Sequence, residues 1–173
     1  MAEQKYKSAT TSIKKKVPFL SRILQEYYAS EGDVVLDYGG GKYDTATDFL
    51  KEFGITNVIY DPYNREPEEN AQALAKDDYD FVVLSDVLNV VAEKQIRKEI
   101  IQDAWRHLRE GGILLVKIYE GDGSLIIKVN EKRNSCQLNQ DTYFYFWEIR
   151  DEHLFRNIKL LTKDGKKIIE AIK

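Results

Sequence analysis

The sequence predicts an α/β protein built on a mostly parallel, doubly wound sheet, and three observations predict it. Four short apolar runs alternate with segments whose apolar residues recur at helical spacing. Each run is continuously apolar, as strands covered on both faces require. The alternation then stops, and the last third of the chain carries the signals of a helix followed by an antiparallel β-hairpin.

From Val17 to Tyr28, Leu20, Ile23, Leu24 and Tyr27 form one apolar face and Pro18 occupies the tolerant first turn, which predicts a helix. Asp33 to Asp37 (DVVLD), followed by GGG, reads as a buried strand entering a tight turn. A helix over about Tyr43 to Phe53 carries Ala46, Phe49, Leu50 and Phe53 and stops at Gly54. Asn57 to Tyr60 is the second strand, closed by Asp61 and Pro62, and a short acidic helical segment covers Glu68 to Lys76. Tyr79 to Ser85 is the third strand, Ala92 to Arg109 a helix ended by Gly111 and Gly112, and Ile113 to Tyr119 the fourth strand. After a polar loop from Glu120 to Gln140, Asp141 or Thr142 caps a helix to about Leu154. Ile158 to Thr162, the turn KDGK and Lys167 to Ile172 form the hairpin.

A chain of 173 residues fits one domain, residues 17–173, preceded by a basic arm, residues 1–16. Hydrophobic residues at 43% supply a core and exclude disorder. No apolar run approaches the roughly 18 residues of a membrane helix, and the N-terminus lacks the apolar centre of a signal peptide, so a cytoplasmic protein is expected. Cys136, the single cysteine, can form neither an internal disulfide nor a thiolate metal site, and no metal is expected. A net charge of -3 marks no nucleic-acid binder overall. Between Lys5 and Arg22, however, Lys7, Lys14, Lys15 and Lys16 occur without a single acid. A solvated arm is the plain reading, and contact with a phosphate-bearing partner is the alternative.

In an open α/β sheet, ligands bind beyond the carboxyl ends of the strands. Those ends carry Asp37, Tyr38, Gly39, Gly40 and Gly41; then Asp61 and Pro62; then Ser85 and Asp86; then Tyr119 and Glu120. Glycines after the first strand let ligand and backbone approach closely, and an acid 20 residues after Gly41 suits ribose hydroxyls, which implies a nucleoside cofactor. It is not a dinucleotide: counted from Gly39, the third glycine of G-x-G-x-x-G falls on Asp44, whose charge repels a pyrophosphate. No Walker loop occurs either, so a cofactor without phosphates fits better.

VVLDYGGGKYD, NVIYDPYN, DFVVLSDVLNVV and HLREGGILLVKIY, in this order, resemble the motifs of class I S-adenosylmethionine-dependent methyltransferases over about Val34 to Tyr119. YGGGKYDT, YDPYN, SDVLNV and YEGDGS further resemble small methyltransferase-domain proteins of phage and prophage, which would place the chain in a host cytoplasm. The resemblance implies a Rossmann-like fold, with Asp37 near the methionine amino group, Gly39 and Gly41 passing the cofactor, Asp61 on the ribose and Pro62 and Tyr63 flanking the adenine. Ser85 and Asp86 would lie beside the transferring methyl or the methionine moiety. This sequence departs from the family in two places: Tyr43 replaces the last glycine of D-x-G-x-G-x-G, and the stretch between Tyr63 and Asp80 is too short for the usual third strand and its acidic adenine contact.

Methyl transfer needs alignment and one proton acceptor, for which Asp86, Tyr119, Glu120 and Asp122 are candidates. SDVL at the fourth-strand motif position is not the [DNS]-P-P-[YFW] of base-amino methyltransferases, and no Pro-Cys nucleophile exists. The acceptor is left open among nucleic acid, nucleotide and small molecule, with the basic arm and the 120–140 loop (Lys128, Lys132, Arg133) as the route to nucleic acid. A cofactor-binding module without catalysis, or another nucleoside-binding α/β protein, are the alternatives. His107 and His153 read as surface residues, and part of the aromatic run Tyr143 to Trp147 as cover for a pocket.

Overall fold

A computed structural model describes residues 4–12 and 16–173. Strands β1 (Val34–Tyr38), β2 (Thr56–Tyr60), β3 (Tyr79–Ser85) and β4 (Leu108–Lys117) are parallel, and β8 (Lys166–Ile172) and β7 (Asn157–Lys163) continue the sheet antiparallel, in the order β2-β1-β3-β4-β8-β7. The helices are α1 (Phe19–Tyr27), α2 (Thr45–Lys51), α3 (Pro67–Ala73), α4 (Lys94–His107) and α5 (Thr142–Asp151). The expected doubly wound α/β sheet with its terminal hairpin is present.

Strand pleating explains why runs of unbroken apolar residues form this sheet. Alternate side chains feed two separate cores. Val35, Phe81, Val83, Leu115 and Ile168 join Leu20, Ile23 and Leu24 of α1 and Leu50 of α2 on one face. Leu36, Val82, Leu84, Leu114, Val116 and Ile169 join α4 (Ile100, Ile101, Ala104) and α5 (Tyr145, Ile149) on the other. Among the described residues α3 leads straight into β3, so β2 is the outer edge of the sheet. The chain winds outward from β1 to β2, then returns past β1 to β3, so the switch point lies between β1 and β3.

Four expectations need correction. Gly111 and Gly112 do not end the helix; the backbone turns extended at Leu108, and a bulge between Leu108 and Ile113 absorbs both glycines into β4. A Cβ on Gly112 would stand 2.9 Å from the Arg109 carbonyl oxygen, so that glycine serves the bulge. The 120–140 segment is not simply a loop: β5 (Ile127–Asn130) and β6 (Ser135–Leu138) form a second, two-stranded sheet. His107 is buried, its Nδ1 2.5 Å from the Lys76 carbonyl oxygen. The arm is docked where it is described, over residues 4–12; Lys14 and Lys15 lie outside the described residues. In the aromatic run, Tyr145 enters the core, while Tyr143 and Trp147 lie exposed four residues apart on the other side of α5.

Candidate active site

The glycine turn starts from β1 and is closed by Gly39 N–H donating to the Tyr60 carbonyl at 2.7 Å. Gly39 has φ +80°, and a Cβ there would meet Val87 Cγ2 at 2.7 Å, so only glycine fits. The turn lies on Asp37: a Cβ on Gly40 would stand 2.7 Å from the Asp37 carboxyl carbon. Tyr38 contributes only backbone here, because its hydroxyl donates to Asp103 Oδ2 at 3.0 Å inside the α4 core.

At the end of β2, Asp61 is buried and organises the turn. Its Oδ2 accepts from Gly41 N–H at 2.9 Å, and its Oδ1 accepts from Tyr63 N–H at 2.9 Å and Asn64 Nδ2 at 3.2 Å. Asn70 of α3 brackets the Asp61 backbone, accepting from its N–H at 2.9 Å and donating to its carbonyl at 3.0 Å. Arg65 donates to the Gly41 carbonyl at 2.9 Å and pairs with Asp44 at 2.8 Å, leaving its Nη2 buried and without a partner among the described residues. Asp37, 4% exposed, therefore sits in an anionic site. Burial first, then the neighbouring Asp61, push its pKa up to about 7, against the opposing pull of Arg65. Pro62 is exposed, and the Tyr63 ring is covered by the Lys7 ammonium at 5.7 Å.

Across the switch point, Ser85 pairs in register with Lys117. Asp86 adopts φ +60°, a left-handed conformation uncommon outside glycine, and its N–H donates to the Lys117 carbonyl at 2.9 Å. Lys117 Nζ holds both Asp86 carboxylate oxygens at 2.8 Å. Asp86 stays partly open, at 40% side-chain exposure against 13% for Lys117. Tyr119 is exposed, and its carbonyl accepts from Gln137 Nε2 at 2.9 Å. Glu120 instead ties α5 to the sheet: its Oε1 accepts from Thr142 N–H at 2.8 Å, Thr142 Oγ1 at 2.7 Å and Lys167 at 3.2 Å. Although partial burial opposes them, these bonds hold its carboxyl below the usual carboxylate range. Asp122 is exposed and pairs with Lys128.

The structure thus brings Asp37, the glycine turn, Asp61, Tyr63, Ser85 and Asp86 to one crevice, turns the Tyr38 side chain away and engages Glu120 elsewhere. Sequence reasoning missed Lys117, Arg65, Asn70 and the docked segment. Lys117 carried a signal, as the only charge inside the apolar run ILLVKIY. Among the described residues no group of three or more His, Cys, Asp and Glu is placed to hold a metal. A cationic nucleoside fits this donor set, since two buried carboxylates face the turn while their nearest guanidinium is already shared with Asp44.

A parallel sheet with a glycine turn after its first strand, fastened to an acid after its second and lying beside the switch point, defines the nucleoside-binding class of doubly wound proteins. The chain matches the methyltransferase domain family over residues 8–169 and belongs to that family. No curated protein sequence matches it. It is similar in structure to the Burkholderia thailandensis 1,6-didemethyltoxoflavin-N1-methyltransferase with bound 1,6-didemethyltoxoflavin and S-adenosylhomocysteine (TM-score 0.63, 18% identity, covering 88% of this chain and 76% of that one). It is also similar to a Methanosarcina mazei S-adenosylmethionine-dependent methyltransferase (TM-score 0.59, 16% identity, 87% and 96%). A third similar structure is Haemonchus contortus phosphoethanolamine N-methyltransferase 2 in complex with S-adenosylmethionine (TM-score 0.56, 16% identity, 84% and 39%).

Proposed function

We propose that this chain transfers a methyl group from S-adenosylmethionine to a small acceptor with an apolar body. The observation that carries the cofactor is the buried Asp37, raised to about 7 beneath a glycine turn that Asp61 fastens, in a member of the methyltransferase family. Two of the similar structures hold S-adenosylmethionine or S-adenosylhomocysteine, which supports the same cofactor here. Bound at the turn, that cofactor supplies an electrophilic methyl on a sulfonium. Asp37 would take its amino group, Asp61 its ribose, and Pro62 and Tyr63 its adenine. Asp86, open at the switch point and aimed by Lys117, would receive the proton that the acceptor sheds as it gains the methyl.

The acceptor class rests on the rim. Tyr119, Ile127 and Val129 are exposed, and Gln137, opposite Lys128 in the hairpin, ties that hairpin to Tyr119 and to Asn89 at 3.0 Å. Two basic residues that sequence reasoning offered to phosphate are engaged within the chain, Lys128 by Asp122 and Lys7 by Tyr63. A phosphate-bearing acceptor is the second reading, favoured by Lys132 and Arg133, exposed on the turn between β5 and β6. By the motifs YGGGKYDT, YDPYN, SDVLNV and YEGDGS we place the chain with small phage and prophage proteins acting in the cytoplasm. No helix is long and apolar enough to cross a membrane among the described residues.

Calorimetric titration of wild type and Asp61→Asn with S-adenosylmethionine, adenosine and ATP tests the cofactor. Binding of S-adenosylmethionine by wild type alone is expected, and a preference for ATP would refute the reading. S-adenosylhomocysteine release over a panel of apolar amines and phenols against RNA and DNA oligonucleotides then separates the acceptor classes, and binding without release from any of them identifies a non-catalytic module.

A further inference from the structure

Residues 4–12 do not trail from the fold but cross the crevice from one rim to the other. Gln4 Nε2 donates to the Val90 carbonyl at 3.1 Å, and Lys5 N–H to Glu93 Oε1 at 3.2 Å, beyond the end of β3. Ser8, at φ +51°, donates its N–H to the Asn134 carbonyl at 2.9 Å, and its Oγ accepts from Cys136 N–H at 3.4 Å in the hairpin. Lys7 covers the Tyr63 ring at 5.7 Å beyond β2. Ser12 Oγ accepts from Lys42 N–H at 3.2 Å and stands 2.5 Å from where a Cβ on Gly41 would be. One nine-residue segment therefore touches the loops after β1, β2 and β3 and the hairpin between β4 and β8. On the same side, β2 is the outer edge strand, so among the described residues no further strand or its loop closes the crevice beyond Tyr63.

We propose that residues 4–12 are a wall of the cofactor site, with Lys7 and Ser12 holding the nucleoside half of the ligand in place where the sheet ends early. This rests on the cofactor reading above. The segment has the reach for it, and its two ends are fastened to opposite rims. Lys7 within the segment and Ser12 at its end bear on Tyr63 and Gly41, two residues that reading assigns to the cofactor. Unlike a solvated arm, such a wall must change the lifetime of the bound ligand.

The test follows S-adenosylhomocysteine binding and dissociation in wild type, in a Lys7→Ala/Ser12→Ala double variant and in Ser8→Cys. The double variant removes one cation–π contact and one hydrogen bond, so a Kd weakened roughly fivefold to tenfold is expected, carried by faster dissociation. Ser8→Cys places a second thiol beside Cys136; its oxidised form should slow both entry and exit of the ligand, and reduction should restore them. Unchanged affinity and rates in the double variant would overturn the proposal. So would tighter binding, since it would make the segment a competitor resting on Gly41. No binding by wild type would instead refute the cofactor assignment itself.

Discussion

Replacing Asp37 with Asn separates what the fold wants from what the site wants. A carboxyl that titrates near 7 when folded and near 3.8 when unfolded binds its proton more tightly in the native state. Between those values the native state therefore holds more protons than the unfolded one, and stability falls as pH rises. The contribution is fully present below about pH 4 and lost by about pH 8, and a shift of about 3 pH units is worth about 4 kcal/mol. Asn has no such proton to lose, so Asp37→Asn should gain on wild type by up to about 4 kcal/mol between pH 4.5 and 8.5. Asp80 and Glu120, whose pKa values are lowered, give the opposite slope, but they are common to both proteins and cancel in the difference. Urea unfolding of both proteins without cofactor, followed by circular dichroism at half-unit pH steps, measures that difference directly. The same variant should lose S-adenosylmethionine binding at pH 8. A stability difference that does not change with pH would refute the reasoning, because Asp37 would then titrate alike in both states.

Gly39→Ala should cost about 2 kcal/mol or more, from both the positive φ and the 2.7 Å approach to Val87; adding Val87→Ala should recover only the steric part, read as urea midpoints of the single and double variants. Arg97 is 3% exposed and donates to Glu148 at 2.8 and 2.6 Å and to the Val91 and Ala92 carbonyls at 2.9 Å. Arg97→Ala leaves the half-buried Glu148 carboxylate and the Val91 and Ala92 carbonyls without their partner at a cost of about 3 kcal/mol, and Arg97→Met/Glu148→Met together should restore the part due to the stranded charge in thermal unfolding. Glu120→Gln should lower stability by about 1 kcal/mol near neutral pH and leave S-adenosylhomocysteine affinity unchanged; lost turnover at full stability would make Glu120 the proton acceptor instead.

The elements legible in the sequence were those whose signal is local. Continuous apolar runs set β1 to β4, and Asp141 caps α5 by accepting from Phe144 N–H at 2.9 Å, as its side chain predicts. The glycine turn and the acid after β2 were legible because close approach and charge restrict which residues fit. What the sequence hid depends on contacts distant along the chain. Gly111 and Gly112 look like a helix stop, and only pairing of Leu108 with Tyr79 reveals a bulge. The hairpin β5-β6 has polar residues at half its positions, and β6 is fixed by Ser8 and Asn89, far away in sequence. Tyr38 reads as a site residue by position, yet its partner Asp103 is 65 residues away. The basic arm reads as solvated because its attachments are mostly to backbone carbonyls and amides, which leave no trace in side-chain composition.

Lys117 explains why an acid at the switch point need not trap the cofactor. Methyl transfer discharges the sulfonium, so a carboxylate acting on that cation stabilises the starting complex more than the transition state, which slows the chemical step. At the place proposed for it beside the methyl, Asp86 would avoid this by being half of a neutral pair, both its oxygens held by Lys117 at 2.8 Å. Asp37, by contrast, is placed by the family resemblance at the amino group, which cofactor and product share, so it should not distinguish them. Two expectations separate these roles. In wild type, protonation of Asp37 below about pH 7 should weaken S-adenosylmethionine and S-adenosylhomocysteine together, leaving their Kd ratio constant. Lys117→Met should free the Asp86 charge and shift that ratio several-fold toward S-adenosylmethionine at every pH, a change of about 1 kcal/mol for a partly exposed charge. Calorimetry of both ligands from pH 6 to pH 8.5 reads both. A ratio that moves with pH in wild type would put Asp37 beneath the sulfonium, and a Lys117→Met ratio equal to wild type would leave the Asp86–Lys117 pair a structural clasp between β3 and β4.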